Sequence, residues 1–109
     1  MGLFGRLRRH RPAAGGRLAL PQDVAHLEAF ARSRPGVEAY VEPRTAVTET
    51  TVVLVASTGE WTRRRVAGPR AAHDLGRRLG IPVYDAQVVG YPRRMREWTR
   101  RRREADSLD

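Results

Sequence analysis

The chain of 109 residues contains no cysteine, no lysine and no asparagine. Without cysteine it forms no disulfide bond, and it has no thiolate for nucleophilic catalysis, an iron–sulfur cluster or a cysteine-bound zinc. Arginine supplies all 21 basic residues against 12 acidic ones, for a formal net charge of +9. This composition is typical of a GC-rich coding sequence, so the choice of arginine over lysine carries less information than the surplus of positive charge.

Long apolar runs are also missing, so the sequence predicts neither a signal peptide nor a membrane span. We therefore expect a cytoplasmic protein with one small domain, because 109 residues leave no room for two. The three histidines lie far apart in the sequence, and no glycine-rich loop stands between a strand and a helix. The sequence thus predicts no metal and no cofactor.

Three segments differ in composition. Residues 1–20 carry five arginines and no acidic residue, and we expect them to form a flexible basic arm. Such an arm suits folding on RNA or DNA, lying on an anionic membrane through its large apolar residues, or remaining a disordered tail. The compact domain is expected over 21–104, and 105–109 are expected to fray.

Hydrophobic periodicity predicts the element order α-β-β-β-α-β-α. The helices are expected at about 21–33, 69–79 and 92–104, and the strands at about 37–42, 46–56, 61–66 and 83–85. The last strand is open to continuation through Val88 and Val89. Residues 52–56 are apolar on both faces, which indicates a central strand with other elements packed above and below. The sequence therefore predicts a single α/β (mixed α+β) domain, with helices packed on a four-stranded sheet that is mostly antiparallel or mixed.

The run Arg63-Arg64-Arg65 lies in the third predicted strand. Side chains alternate between the two faces of a strand, so at least one of these arginines must lie on each face. A guanidinium group is not buried without a partner. Two interpretations stay open. The arginines pair with Glu49 or Asp85, or they form an open anion site in which their bidentate donors bind phosphate.

A second basic cluster lies in the last predicted helix, and its members are Arg93, Arg94, Arg96, Arg100, Arg101, Arg102 and Arg103. Helical periodicity places the arginines at 93, 96, 100 and 103 on one broad face, with the apolar residues Met95 and Trp98 elsewhere. A cationic stripe backed by an apolar anchor can follow a row of phosphates. The same pattern is also typical of a solvated helix whose charges favour its C-terminal dipole.

Four segments within residues 37–98, VEAYVEP, GEWTRRR, LGIPVYD and GYPRRMR, resemble a family of small uncharacterised proteins from high-GC actinobacteria. Some members of that family carry an oxidoreductase label without an evident motif. The resemblance implies a compact domain and transfers no catalytic residue.

The element order is also similar to the core of restriction-endonuclease-like nucleases, which use an acid on the second strand and an acid-x-Lys motif on the third. Glu49 and Glu60 would take the acidic positions, but Thr62 stands where the lysine belongs. The double-stranded-RNA-binding domain shares the order α-β-β-β-α, although residues 68–71 lack its Lys-Lys start to the second helix.

The surplus of positive charge predicts a non-catalytic domain that binds a polyanion, RNA or DNA above all, through phosphate contacts. Both arginine clusters would contribute. Two alternatives remain: a protein-interaction or scaffold module that docks on an acidic partner, and a diverged nuclease-like enzyme. An oxidoreductase has the least support. The sequence does not indicate an oligomeric state.

Overall fold

The computed structural model describes residues 20–107, in which one four-stranded sheet is packed between helices. Its elements, in chain order, are α1 (Pro21–Ser33), β1 (Glu38–Glu42), β2 (Thr51–Val55), β3 (Trp61–Arg65), α2 (Pro69–Leu79), β4 (Val83–Asp85), α3 (Ala86–Val89) and α4 (Arg93–Ser107). This confirms the α/β class and the expected order, with α3 as an additional short helix. The expected arm lies outside the described residues except for Leu20.

The strand order across the sheet is β3-β2-β1-β4. β2 pairs antiparallel with both β1 and β3, whereas β4 pairs parallel with β1. Because β1 and β3 run in the same direction, β4 is also parallel to β3, as expected for two strands joined by a helical crossover. The sheet is therefore mixed, and β2 is an interior strand.

Both faces of β2 are buried. Val52 and Leu54 contribute to one core, while Val53 and Val55 contribute to a second core on the opposite face. None of the four is more than 1% exposed. The expectation of a central strand covered on both sides is confirmed.

The first face of the sheet is covered by α1 and α2. Leu27 and Phe30 of α1, together with Ala72 and Leu75 of α2, pack on this face. Both helices begin with a proline in the first turn, where its missing N–H costs nothing. The bounds of both helices agree with those predicted from hydrophobic periodicity, because each helix carries one clear apolar stripe.

β2 is shorter than expected at its start. Residues 43–50 form a loop instead, in which the Thr45 hydroxyl accepts the backbone N–H groups of Val47 and Thr48 at 3.2 and 3.0 Å. A side chain that accepts hydrogen bonds from nearby backbone N–H groups competes with the hydrogen bonds of strand pairing. The predicted start at 46 was therefore wrong, and the strand begins at Thr51.

The continuation of β4 through Val88 and Val89 was also wrong. The Asp85 carboxylate accepts the backbone N–H of Gln87 at 2.8 Å and thereby caps α3. Gly90, at a φ of +74°, ends this helix after one turn. The local cap outweighs the β preference of the two valines.

The last helix is longer than expected. α4 begins at Arg93 and extends through Ser107, so residues 105–107 are helical rather than frayed. Arg100 and Glu104, one turn apart, form an ion pair at 3.9 Å that supports this final stretch. Residues 108 and 109 lie outside the described part of the chain. No helix among residues 20–107 is long and apolar enough to cross a membrane.

The β2–β3 hairpin turn packs directly against α4. The Ala56 N–H donates to the Glu60 carbonyl at 2.8 Å, which closes a turn over 57–59. Gly59 has a φ of +96°, and a Cβ atom added to it would overlap the backbone carbonyl of Arg94. Only glycine therefore satisfies both the turn and the close approach of the helix.

Replacing Gly59 with alanine should lower the free energy of unfolding by about 3 kcal/mol, from the cost of a positive φ together with the overlap. Gly80→Ala is the matched control, because Gly80 has a φ of +70° but open space around its Cβ position. The control should cost only about 1 kcal/mol. Urea unfolding of both variants measures the difference, and equal losses would contradict the close packing of turn and helix.

Candidate functional site

The three consecutive arginines of β3 alternate between the faces of the sheet, as predicted. Arg63 lies on the second face, where its Nε and Nη2 atoms donate to the Glu42 carboxylate at 2.8 and 3.0 Å. Arg64 lies on the first face, with its Nε atom 3.5 Å from the Asp23 carboxylate of α1. Arg65 is exposed at the end of this edge strand.

The partners expected for these arginines, Glu49 or Asp85, were wrong. β4 lies at the far edge of the sheet from β3, and its Asp85 carboxylate caps α3. Only β2 lies between Glu42 on β1 and Arg63 on β3, so the long arginine side chain can reach across it. Strand order, which the sequence did not reveal, decides the pairing.

Glu42 is the centre of a hydrogen-bond network. Besides the two bonds from Arg63, its carboxylate accepts the Thr51 hydroxyl at 2.5 Å and the Tyr91 hydroxyl. Burial raises the pKa of the Glu42 carboxyl, but the hydrogen bonds from Arg63, Thr51 and Tyr91 outweigh burial and hold its pKa below the usual value. With four donors around it, Glu42 is an ionised structural anchor.

Arg94 attaches the first turn of α4 to the sheet. Its Nε atom donates to the carbonyl of Ala56 at 2.9 Å, and its Nη2 atom donates to Glu38 Oε1 at 2.7 Å. The hydrogen bond from Arg94 lowers the pKa of the Glu38 carboxyl, against an opposing effect of burial. Tyr40 donates to the same carboxylate oxygen at 2.9 Å, and burial, with the neighbouring Glu38, raises the pKa of Tyr40 to about 12.

Internal carboxylates or carbonyls thus occupy the guanidinium groups of Arg63, Arg64 and Arg94. The first two point to opposite faces of the sheet, so the predicted β3 cluster does not form one contact surface. We leave these three arginines out of the candidate interface. Arg96 is kept in it, because its internal contact, from Nη1 to the Tyr91 carbonyl at 3.2 Å, lies at an exposed position.

The arginines at 93, 96, 100 and 103 form the candidate interface, which we call the α4 stripe. They border two open grooves along the helix. One groove, of about 540 Å³, is lined by Arg93, Arg96, Glu97 and Arg100. The other, of about 300 Å³, is lined by Met95, Arg96, Thr99, Arg100 and Arg103. Arg96 and Arg100 line both grooves, which places them at the centre of the stripe.

The ion pairs within α4 are weak, so the guanidinium groups of the stripe stay accessible to a ligand. Arg93 lies 3.3 Å from Glu97, and Arg100 lies 3.9 Å from Glu104, in both cases one turn along the same helix. Surface pairs of this kind contribute about 0.3–0.5 kcal/mol and are screened by salt. A phosphate can displace such a carboxylate at little cost.

Only the first half of α4 is attached to the domain. Met95 is buried in the second core, and the Trp61 indole N–H donates to the Thr99 hydroxyl at 2.8 Å. From Arg100 to Ser107 every residue is exposed. α4 therefore protrudes from the sheet with seven arginines against three acidic residues over its length.

The remaining arginines of α4 differ in their surroundings. Arg102 lies over the ring of Trp98, with 5.4 Å between its Cζ atom and the ring centroid, while Arg101 is exposed. Trp61 packs against the second core. Trp61 therefore has a structural role, whereas Trp98 is half-buried beneath Arg102.

The nuclease interpretation does not fit the positions of its acids. Glu49 precedes the start of β2, whereas Glu60 precedes the start of β3, which pairs with the other end of β2. The two acids thus lie at opposite ends of the hairpin, and Glu60 forms two hydrogen bonds with Arg34 at 2.9 and 2.8 Å. Residues 20–107 contain no group of three or more histidine, aspartate or glutamate side chains that could hold a metal ion.

The sequence interpretation missed two cavities on the second face of the sheet. The larger, of about 540 Å³, lies beside the Glu42 network and the 43–50 loop. The smaller, of about 220 Å³, is lined by Glu38, Tyr40, Tyr84, Val89, Gly90, Tyr91 and Pro92. The alternation of Glu38, Tyr40 and Glu42 along β1 was the available signal, because three polar residues on one face of an interior strand need partners.

Comparison with protein-family models, with curated proteins and with solved structures gives no match.

The carboxyls of Glu38 and Glu42 should make stability depend on acid pH. Because folding lowers both pKa values, their contribution is present above the unfolded value of 4.5 and is lost as the pH falls through the folded values. The melting temperature should therefore decrease when the pH is lowered below about 4.5.

Glu42→Gln should lower the free energy of unfolding at pH 7 by about 1–3 kcal/mol, because it removes the charge that Arg63 faces. Its melting temperature should also fall less steeply with acid than that of the wild type. Glu104→Gln, on the exposed end of α4, is the control and should change the stability by less than about 0.5 kcal/mol. An unchanged acid profile in Glu42→Gln would show that this network does not stabilise the fold.

Proposed function

We propose that the protein binds RNA or DNA through contacts between phosphate groups and the α4 stripe. The observation that supports this most is that exposed guanidinium groups along both halves of α4 border open grooves, while contacts of Met95 and Thr99 hold the helix against the domain. The contacts carry little sequence information, because they involve the phosphate backbone.

The dimensions of the stripe suit a nucleic-acid backbone. Arg93 and Arg103 are ten residues apart, or about 15 Å along a helix that rises 1.5 Å per residue. Guanidinium groups offer bidentate donors that match phosphate oxygens. Four such contacts along one straight edge can follow successive phosphates of a strand.

Electrostatic repulsion within α4 favours an anionic ligand. The arginine pairs 93/96, 96/100 and 100/103 are three or four residues apart and lie next to one another on the helix surface, where like charges destabilise a helix. A bound polyanion removes this repulsion. It should therefore stabilise the exposed half of the helix as well as gain affinity from the release of counterions.

The triple substitution of Arg96, Arg100 and Arg103 by glutamine tests the stripe. A triple substitution of Arg32, Arg70 and Arg77 by glutamine is the matched control, because it removes the same charge from exposed positions of α1 and α2. At 50 mM salt the stripe variant should bind a short oligonucleotide at least about tenfold more weakly than the control. Fluorescence anisotropy measures both affinities.

The salt dependence gives a second readout. Four phosphate contacts predict a slope of log K against log salt of about −3.6 for duplex DNA and about −2.8 for a single strand. The stripe variant should lose about 2 or more units of this slope, while the control should keep it. Equal losses in the two triple variants would show that binding depends on net charge and not on the stripe, which contradicts the proposal. A wild-type protein that binds no nucleic acid at 50 mM salt would also overturn it.

A further inference from the structure

We propose that the smaller cavity on the second face, which we call the tyrosine pocket, receives one unpaired nucleobase, so that the preferred ligand is a single strand. This inference rests on the proposed function and specifies its ligand. The pocket is lined by Glu38, Tyr40, Tyr84, Val89, Gly90, Tyr91 and Pro92.

Three aromatic rings meet at the pocket. Tyr40 is 6% exposed and lies between the other two, with centroid distances of 5.4 Å to Tyr84 and 6.1 Å to Tyr91. The tilts of 33° and 49° leave the rings splayed rather than stacked face to face. Tyr84, 38% exposed on an edge strand, therefore offers an aromatic surface that a planar ring can contact.

A nucleobase suits this pocket better than a cation does. Aromatic pockets also bind cations, but here the guanidinium of Arg94 already lies against the Glu38 carboxylate and repels a second positive charge. A neutral planar base stacks on tyrosine without that penalty, and every base has a face that can stack.

The Glu38 carboxylate adds a preference among bases. Its Oε1 atom accepts both Tyr40 and Arg94, whereas Oε2 accepts no hydrogen bond from the described residues. A free carboxylate oxygen accepts the amino group of cytosine, a contact that uracil cannot provide because it carries a carbonyl at that position. We therefore expect cytosine to bind better than uracil.

The pocket adjoins the α4 stripe. Pro92 lines the pocket and Arg93, the next residue, is the first member of the stripe. Arg96 also donates to the Tyr91 carbonyl at 3.2 Å, which places the start of the stripe against the pocket wall. A strand that follows the arginines thus brings a base to the pocket, and only an unpaired base can enter without the cost of unstacking.

Tyr84→Leu tests the pocket, because it removes the aromatic ring at a partly exposed position and keeps an apolar side chain. Val88→Ala, at a residue that is 79% exposed on neighbouring α3, is the matched control. The full-length protein is titrated with a fluorescent oligocytidine, an oligouridine and a duplex of the same length at one salt concentration. Tyr84→Leu should bind oligocytidine at least about fivefold more weakly than wild type and control, with unchanged duplex affinity.

A second arm uses cytidine monophosphate and uridine monophosphate as free ligands, monitored by NMR of the tyrosine rings. Shifts of the Tyr40, Tyr84 and Tyr91 signals that saturate with the cytidine nucleotide support the pocket, and the oligonucleotide arm then tells whether a strand or a mononucleotide binds better. If Tyr84→Leu binds oligocytidine as the wild type does and the ring signals stay in place, the pocket is overturned while the stripe proposal stands. If only the ring signals respond and no oligonucleotide binds, the stripe proposal fails, and so does the single-strand ligand proposed for the pocket.

Discussion

The burial of β2 on both faces is the constraint on which the rest of this structure depends. Four consecutive apolar side chains, Val52 to Val55, need a packed layer above and a packed layer below the sheet. Two amphipathic helices supply the first layer. The smaller second layer rests on Ala86 of α3 and on the start of α4, which buries Met95 alone among its residues. Polar contacts must therefore contribute much of the attachment on that side.

Those polar contacts explain why arginine has two different roles in one small domain. Arg63 and Arg94 lie within reach of Glu42 and Glu38, and they join β3 and α4 to the same face of β1. The arginines farther along α4 have no sheet carboxylate to meet, because the helix has left the sheet by Arg100. The position of each guanidinium relative to β1, rather than its residue type, separates the anchors from the candidate ligand-binding groups.

The packing on the first face of the sheet could be predicted from the sequence, and the packing on the second face could not. Each of the two helices on this face carries its own apolar stripe, Leu27 and Phe30 in α1 and Ala72 and Leu75 in α2. Such a stripe is a local signal, and it predicted both helices at their observed bounds. The face of β1 that carries Tyr40 reads as exposed, because its alternating polar residues find their partners only after α4 folds back over the sheet. Such pairing depends on strand order and on contacts between residues far apart in the chain.

The candidate site divides in the same way. Helical periodicity was enough to align the α4 stripe, since four positions on one helix face require no tertiary information. The ion pairs that withdraw Arg63, Arg64 and Arg94, and the meeting of three tyrosines from β1, β4 and the segment before α4, required the sheet topology.

The stripe consists of guanidinium groups alone, and this has a consequence for control of the protein. Arginine stays protonated throughout the physiological pH range, and a chain without lysine offers no side-chain amine for acetylation. Neither acidity nor that modification can switch off its positive potential. Regulation of an anion bound there would have to come from ionic strength, from competing polyanions or from arginine methylation, which keeps the charge but blocks bidentate hydrogen bonding.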